Sequence, residues 1–159
     1  MARNKGQLFG QIFVYIMAII IVSALLLFGY KAIKTFTDKS EDVALLQLKK
    51  GLESTVKSIS LDYGSVSVKK YSLPSGIKKV CFVHSFPEMP RLSSTSYPLI
   101  EDSVNSKVDK NVFLLSDSVA DSFSIGPIAA SEPLLCIDAV GIELTVRFEG
   151  KGNHAYVSR

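Results

Sequence analysis

The chain contains two cysteines and two histidines, Cys81, His84, Cys136 and His154, and any thiol, imidazole or soft-metal chemistry must use them. Cys81 and Cys136 each sit in an apolar, strand-like run, Val80-Cys81-Phe82 and Leu135-Cys136-Ile137. Three chemistries are open to this set. If the two strands are neighbours, a disulfide closes a loop of about 55 residues, worth about 4 kcal/mol in the chain-entropy account. Two free thiols would instead pack as small buried hydrophobes. A zinc site would take Cys81 and His84, whose spacing suits the metal, together with Cys136 and His154, which lack the close spacing of a second ligand pair. The disulfide is the expectation among these. Asp117 and Asp121 could meet calcium, but no EF-hand loop surrounds them. There is no Gly-x-Ser-x-Gly elbow, no His-Glu-x-x-His pair and no phosphate-binding glycine loop. Gly150 and Gly152 fall in a hairpin loop, where glycine serves backbone geometry. These residues predict a protein that is not an enzyme and holds neither a cofactor nor a metal.

The elements that must carry these residues divide the chain sharply. With 159 residues there is room for one modest domain. Nineteen of the 24 residues from Gln7 to Tyr30 are apolar, and no charge occurs from Gly6 to Tyr30. Outside that block the apolar share is below the globular norm, yet enough Val, Ile, Leu and Phe remain to build a core. One block excludes a polytopic channel or transporter. As a helix, Ile12 to Tyr30 spans about 28 Å, against a hydrocarbon core of about 30 Å. A single small domain cannot surround a helix that is apolar on every face, which counts against a buried core helix. A cleaved secretory signal fits poorly, because the run is long and ends in Leu27-Phe28-Gly29-Tyr30-Lys31 instead of small residues. The reading is a retained transmembrane helix over residues 7–34 in contact with membrane lipid, with Tyr15 and Tyr30 near the interfaces and Lys31 and Lys34 snorkelling. Basic residues flank it on both sides, so their count sets no orientation; a disulfide would require the oxidising outer side. The net charge is +3, and all 15 acidic residues follow Lys34. No clustered basic face appears, which argues against nucleic acid as a partner.

Asn4-Lys5-Gly6-Gln7, with the apolar helix starting almost at once, resembles the class III signal peptide of archaeal type IV pilin-like proteins. The resemblance covers about the first 35 residues. It implies a basic leader over residues 1–6, cut between Gly6 and Gln7 by a prepilin-type peptidase on the cytoplasmic side. It further implies an N-terminus in the cytoplasm, a single retained membrane helix and an extracytoplasmic C-terminal domain. Many type IV pilins carry a Glu at the fifth mature position; here that position is Gln11, whose amide can hydrogen-bond between helices but supplies no charge. Gly10, Ala18, Ser23 and Ala24 are small enough to let helices approach closely, and with Gln11 they are the candidate helix-assembly residues.

Downstream, Asp38-Lys39-Ser40-Glu41 has the form of a capping box, with Asp38 as N-cap. Leu45, Leu48, Leu52, Val56 and Ile59 then recur at three- and four-residue steps, predicting an amphipathic spine helix over 38–61, either continuous with the membrane helix or separate. Gly51 within it is a candidate bend. From residue 62 to 159 the texture is that of a β-rich extracytoplasmic domain. Period-two alternation from Val66, a strand over Ile77 to Val83, and strands over Asn111 to Leu115 and Pro133 to Val140 are expected. Gly141 to Phe148 and His154 to Ser158 should flank a hairpin loop. Residues 84–98 hold four of the six prolines and read as an irregular loop, followed by a short helix over Leu99 to Val104 with Pro98 at its first position. The fold class is α+β: a long N-terminal membrane-spanning helix, an amphipathic helix and a C-terminal ectodomain on an antiparallel β-sheet.

Two functions fit this plan. One is a pilin-like structural subunit of a surface filament or secretion pseudopilus, which self-associates or joins other pilin-like subunits and serves adhesion. The other is a single-pass anchored ectodomain that binds an envelope or extracellular partner without forming a filament. Under the leader reading, Gly6→Val is expected to block maturation and leave the folding of the ectodomain unchanged. The intact mass of the variant extracted from membranes checks this, and normal trimming would remove the leader assignment.

Overall fold

A computed structural model of the chain describes residues 7–93 and 95–159, with the side chains of residues 7–10 and 36–38 outside that description. The chain divides into two compact units, Met1–Ser40 and Glu41–Arg159.

No proline interrupts Gln7–Leu61, and these 55 residues form one α-helix, α1. In the first unit it includes a stretch long and apolar enough to cross a membrane, none of it buried by protein. The capping-box reading is corrected here. The backbone is helical through residues 38–41, so no helix starts at Asp38. A cap serves the free N–H groups of a first turn, and inside a continuing helix those groups already reach the carbonyls four residues back. The apolar helix and the spine helix are therefore one element. It ends where Gly64 adopts φ +80°, a left-handed conformation that stops helices without steric cost.

In the second unit, α1 buries Leu48, Leu52, Val56 and Ile59 from one stripe. They meet two four-stranded sheets. The strands are β1 (Val66–Ser72), β2 (Lys79–Val83), β3 (Val112–Leu115), β4 (Val119–Phe123), β5 (Ile128–Ala130), β6 (Leu134–Asp138), β7 (Glu143–Gly150) and β8 (Ala155–Ser158). One sheet runs in the order β1-β7-β8-β5 and the other β4-β3-β2-β6. All pairings are antiparallel except β5 with β8, which is parallel. The expected single antiparallel sheet is thus two sheets with one parallel edge. Neither β4 nor β5 was expected: Val-Ala-Asp-Ser-Phe carries polar residues because it is an edge strand, and Ile-Ala-Ala is three residues long.

The first sheet is apolar on one face: in β7, Leu144, Val146 and Phe148 are buried while Glu143, Thr145 and Arg147 are exposed. The second sheet is covered on both faces. Val80, Phe82, Val112, Leu114, Leu135 and Ile137 join the core shared with α1 and the first sheet. Cys81, Val83, Phe113 and Leu115 point the other way, under Leu92 and a short helix, α2 (Pro98–Asn105), whose Ile100 and Val104 are buried. This explains why β3 reads Val-Phe-Leu-Leu without alternation, since all four residues are buried. Cys81 and Cys136 are directly opposed across the β2–β6 ladder and joined by a disulfide.

Two glycines in the second unit are set by close approach. A Cβ on Gly51 would stand 3.2 Å from the Tyr71 ring, whose hydroxyl donates to Thr55 Oγ1 at 2.8 Å. Gly51 is thus where β1 lies against α1. A Cβ on Gly150 would fall on the carbonyl oxygens of Ile59 and Asp62 at the end of α1. Gly150 also exchanges backbone hydrogen bonds with Gly64 and Ser65 at 2.8 Å each. Gly150→Ala is expected to cost about 2 kcal/mol or more, because it must push backbone apart and not the tip of a side chain. Denaturant unfolding of the variant checks it, and an unchanged midpoint would show that the approach is not tight.

Candidate functional site

The proposed leader ending at Gly6 lies outside the described residues, and Gln7 is the first residue of α1. Of the candidate helix-assembly residues, Gly10 precedes the described side chains; Gln11, Ala18 and Ser23 are exposed and Ala24 is half-buried. At about 100° per residue, Gln11, Ala18 and Gly29 project from one side of the helix, and Ser23 and Ala24 point away from it. The five residues named from sequence therefore do not make one seam, whereas Gln11 and Ala18, extended by Gly29, share a side. The segment from Ile12 to Ile33 exposes large apolar side chains all round, from Met17 at 45% to Phe28 at 74%. An exposed helix that is apolar on every side suits lipid or other apolar helices as its surroundings, and not water.

The four candidate metal ligands are separated by the fold. The disulfide consumes Cys81 and Cys136 on the α2 side of the second sheet, so the zinc alternative is corrected: a thiol in a disulfide is no ligand. Among the described residues no group of three or more His, Cys, Asp or Glu is placed to hold a metal ion. The histidines meet at the other end of β2. His84 follows that strand directly, and its Nδ1 accepts a hydrogen bond from the Ala130 amide at 3.3 Å, so it carries no proton there. The His154 ring stacks on Phe86, with centroids 4.4 Å apart, and its Nδ1 meets Asn153 Oδ1 at 2.7 Å. Burial, followed by repulsion from His84 and Lys151, holds His154 below the ordinary imidazole value.

Beside this corner stands a buried amide. Asn111 is 1% exposed, and its side chain donates to Ser85 Oγ at 3.0 Å and to the Gly126 carbonyl at 2.6 Å. Its Oδ1 accepts from the Ile125 amide at 3.0 Å. With every hydrogen-bonding position occupied, Asn111 works as a structural tie and has nothing left for a ligand.

The opposite end of β2 borders a cleft of about 490 Å³, which sequence reasoning missed. It lies between the start of α2 and the β3–β4 turn, lined by Lys78, Lys79, Tyr97, Leu99, Asp117 and Asp138 among others. Lys78 Nζ is 2.6 Å from Asp117 Oδ1, and Lys79 Nζ is 3.1 Å from Asp138 Oδ1. The hydrogen bond from Lys78 lowers the Asp117 carboxyl, and bonds to Asp138 and then Tyr97 raise Lys79. Both lysines are thus already paired. Ser116 and Ser118 border the same cleft, but β2 separates it from the histidines by about 16 Å of strand, which leaves these hydroxyls without an imidazole base. The cleft can bind, and no group in it is set up to attack. Only the side-by-side Lys78-Lys79 pair marks it in the sequence, and two lysines on a strand are too common to be a signal.

No protein-family model, curated protein or solved structure matches this chain.

The depressed value of His154 has a direct consequence for stability. Its neutral ring is favoured in the folded state, so the associated stability is fully present above the ordinary imidazole value and is lost as pH falls through the lower folded value. Lowering pH from about 7.5 to about 5 should therefore reduce the melting temperature of the detergent-solubilised chain, and His154→Gln should flatten that part of the profile. Equal slopes for the two proteins would remove His154 as the cause.

Proposed function

We propose that the chain is a pilin-like structural subunit, held in the membrane by the first part of α1 and carrying an extracytoplasmic sheet domain on the second part. The observation that supports this reading best is the two-fold character of one helix. Its first part exposes apolar side chains all round, and from Leu48 it buries a single stripe in a folded domain. Such a helix suits a subunit whose N-terminal part lies first in lipid and then among the helices of a filament, because both surroundings are apolar. The side shared by Gln11, Ala18 and Gly29 offers close approach and an amide hydrogen bond between copies. A surface filament or secretion pseudopilus is the assembly proposed, with adhesion as its use.

The disulfide supports an outward-facing C-terminal domain, since such bonds persist on the oxidising side of a membrane. The leader Asn4-Lys5-Gly6 would remain cytoplasmic until a prepilin-type peptidase releases Gln7. The absence of a carboxylate at Gln11 favours a second reading, an anchored ectodomain that recognises a partner without polymerising, and the Lys79–Tyr97 cleft would then be its contact surface.

Two measurements on the native envelope separate these. Intact mass without reduction is expected to show a chain that starts at Gln7 and retains the disulfide. Mechanical shearing is expected to release that chain in sedimentable fibres. A trimmed chain that stays wholly with the membrane would overturn the filament and leave the anchored ectodomain. A chain that keeps residues 1–6 would overturn the leader as well.

A further inference from the structure

We propose that the turn Val140-Gly141-Ile142 is a lipid-contacting foot of the sheet domain, which rests its apolar tip in the interface of the bilayer that holds α1. The proposal relies on the reading that α1 crosses a membrane. In the turn, Val140 and Glu143 exchange backbone hydrogen bonds at 2.9 and 3.1 Å, and Gly141 has φ +65°, as a two-residue hairpin turn with glycine first requires. The turn is thereby held rigid, and it presents Val140 at 83% exposure and Ile142 at 62%. A rigid turn that leads with two aliphatic side chains is unfavourable in water.

Its place in the domain says what covers it. Gly150, the last residue of β7, abuts the carbonyls of Ile59 and Asp62 in α1. Tyr71, opposite Leu144 near the start of β7, touches Gly51 and bonds Thr55. Moving along β7 toward its start therefore moves back along α1 toward Glu41, where the chain enters the domain. Val140 and Ile142 lie beyond that start, at the entry end, where α1 also exposes Val43 and Leu46. From Tyr30 to Glu41 the chain reaches at most about 40 Å even when fully extended, so this end of the domain is confined near the bilayer surface. Tethering raises the effective concentration of the surface to the point where a contact of two side chains suffices. The charged neighbours Lys70–Glu143 and Lys78–Asp117 are already paired, so the contact is apolar and insensitive to salt.

The chain contains no tryptophan, so single-tryptophan variants report cleanly. The full chain is reconstituted at high dilution in phosphatidylcholine vesicles containing lipids brominated near the headgroup end of the acyl chains. Three variants are compared: Val140→Trp, Tyr63→Trp at the opposite end of the domain, and Phe28→Trp in the apolar part of α1. Val140→Trp should be quenched at least twofold more than Tyr63→Trp, equally at low and high salt, and Phe28→Trp should be quenched as well. Quenching of Phe28→Trp with none at Val140→Trp overturns the foot and leaves the membrane reading standing. No quenching of Phe28→Trp overturns both. A blue-shifted but unquenched Val140→Trp, appearing as protein density is raised, assigns the turn to a second copy and also overturns the proposal.

Discussion

The domain depends on one contact: the stripe Leu48, Leu52, Val56 and Ile59 of α1 against the inner residues of both sheets. A helix has only one stripe to offer a core while its other sides stay wet, so everything that must be buried has to reach the same side. Gly150 and Gly51 set how closely that happens. The first lets backbone meet backbone at the end of α1, and the second lets the Tyr71 ring lie flat enough for its hydroxyl to reach Thr55. Burial raises the Tyr71 hydroxyl above its ordinary value, with the Thr55 bond opposing the shift. The ring is thus held as a neutral, hydrogen-bonded brace between strand and helix.

Once the first sheet has covered α1, the second must be closed from outside, because both of its faces are apolar. Residues 84–105 do this, laying Leu92, Ile100 and Val104 over the disulfide and Phe113. That segment leaves β2 at the histidine corner, where Asn111 ties its start at Ser85 to the chain at Ile125 and Gly126. A fully bonded buried amide stabilises little beyond its own desolvation cost, but it admits one arrangement only. The irregular, proline-rich stretch is therefore a lid on the core, pinned at both ends. This also accounts for the protein's chemistry: its thiols are spent as a disulfide, its buried amide is satisfied, and the charges of its main cleft are paired.

Much of this was legible along the chain. The three- and four-residue steps from Leu45 to Ile59 are the buried stripe; the Pro98 start marks α2; and the alternation in Glu-Leu-Thr-Val-Arg-Phe is the one-sided strand β7. The apparent capping box at Asp38 was misleading because four residues can have the form of a helix start while lying inside a helix. β4 was lost because an edge strand tolerates Asp121 and Ser122, and β5 because three residues carry no period.

The sequence by itself determined the elements whose pattern repeats within a turn or two: the uniformly apolar helix, its one-sided continuation and the strands with a regular alternation. These follow from backbone periodicities of 3.6 and 2 residues, which any window of ten residues can express. Tertiary structure decided what long-range neighbours impose. It paired Cys81 with Cys136 across 55 residues, split the strands between two sheets and brought His154 onto Phe86. It also left Gly150 no room for a Cβ and put Val140 and Ile142 at the exposed end where α1 enters the domain. The physical reason is that pairing and burial are properties of the space between segments. A residue's own neighbours in the chain carry no record of which distant strand will lie beside it.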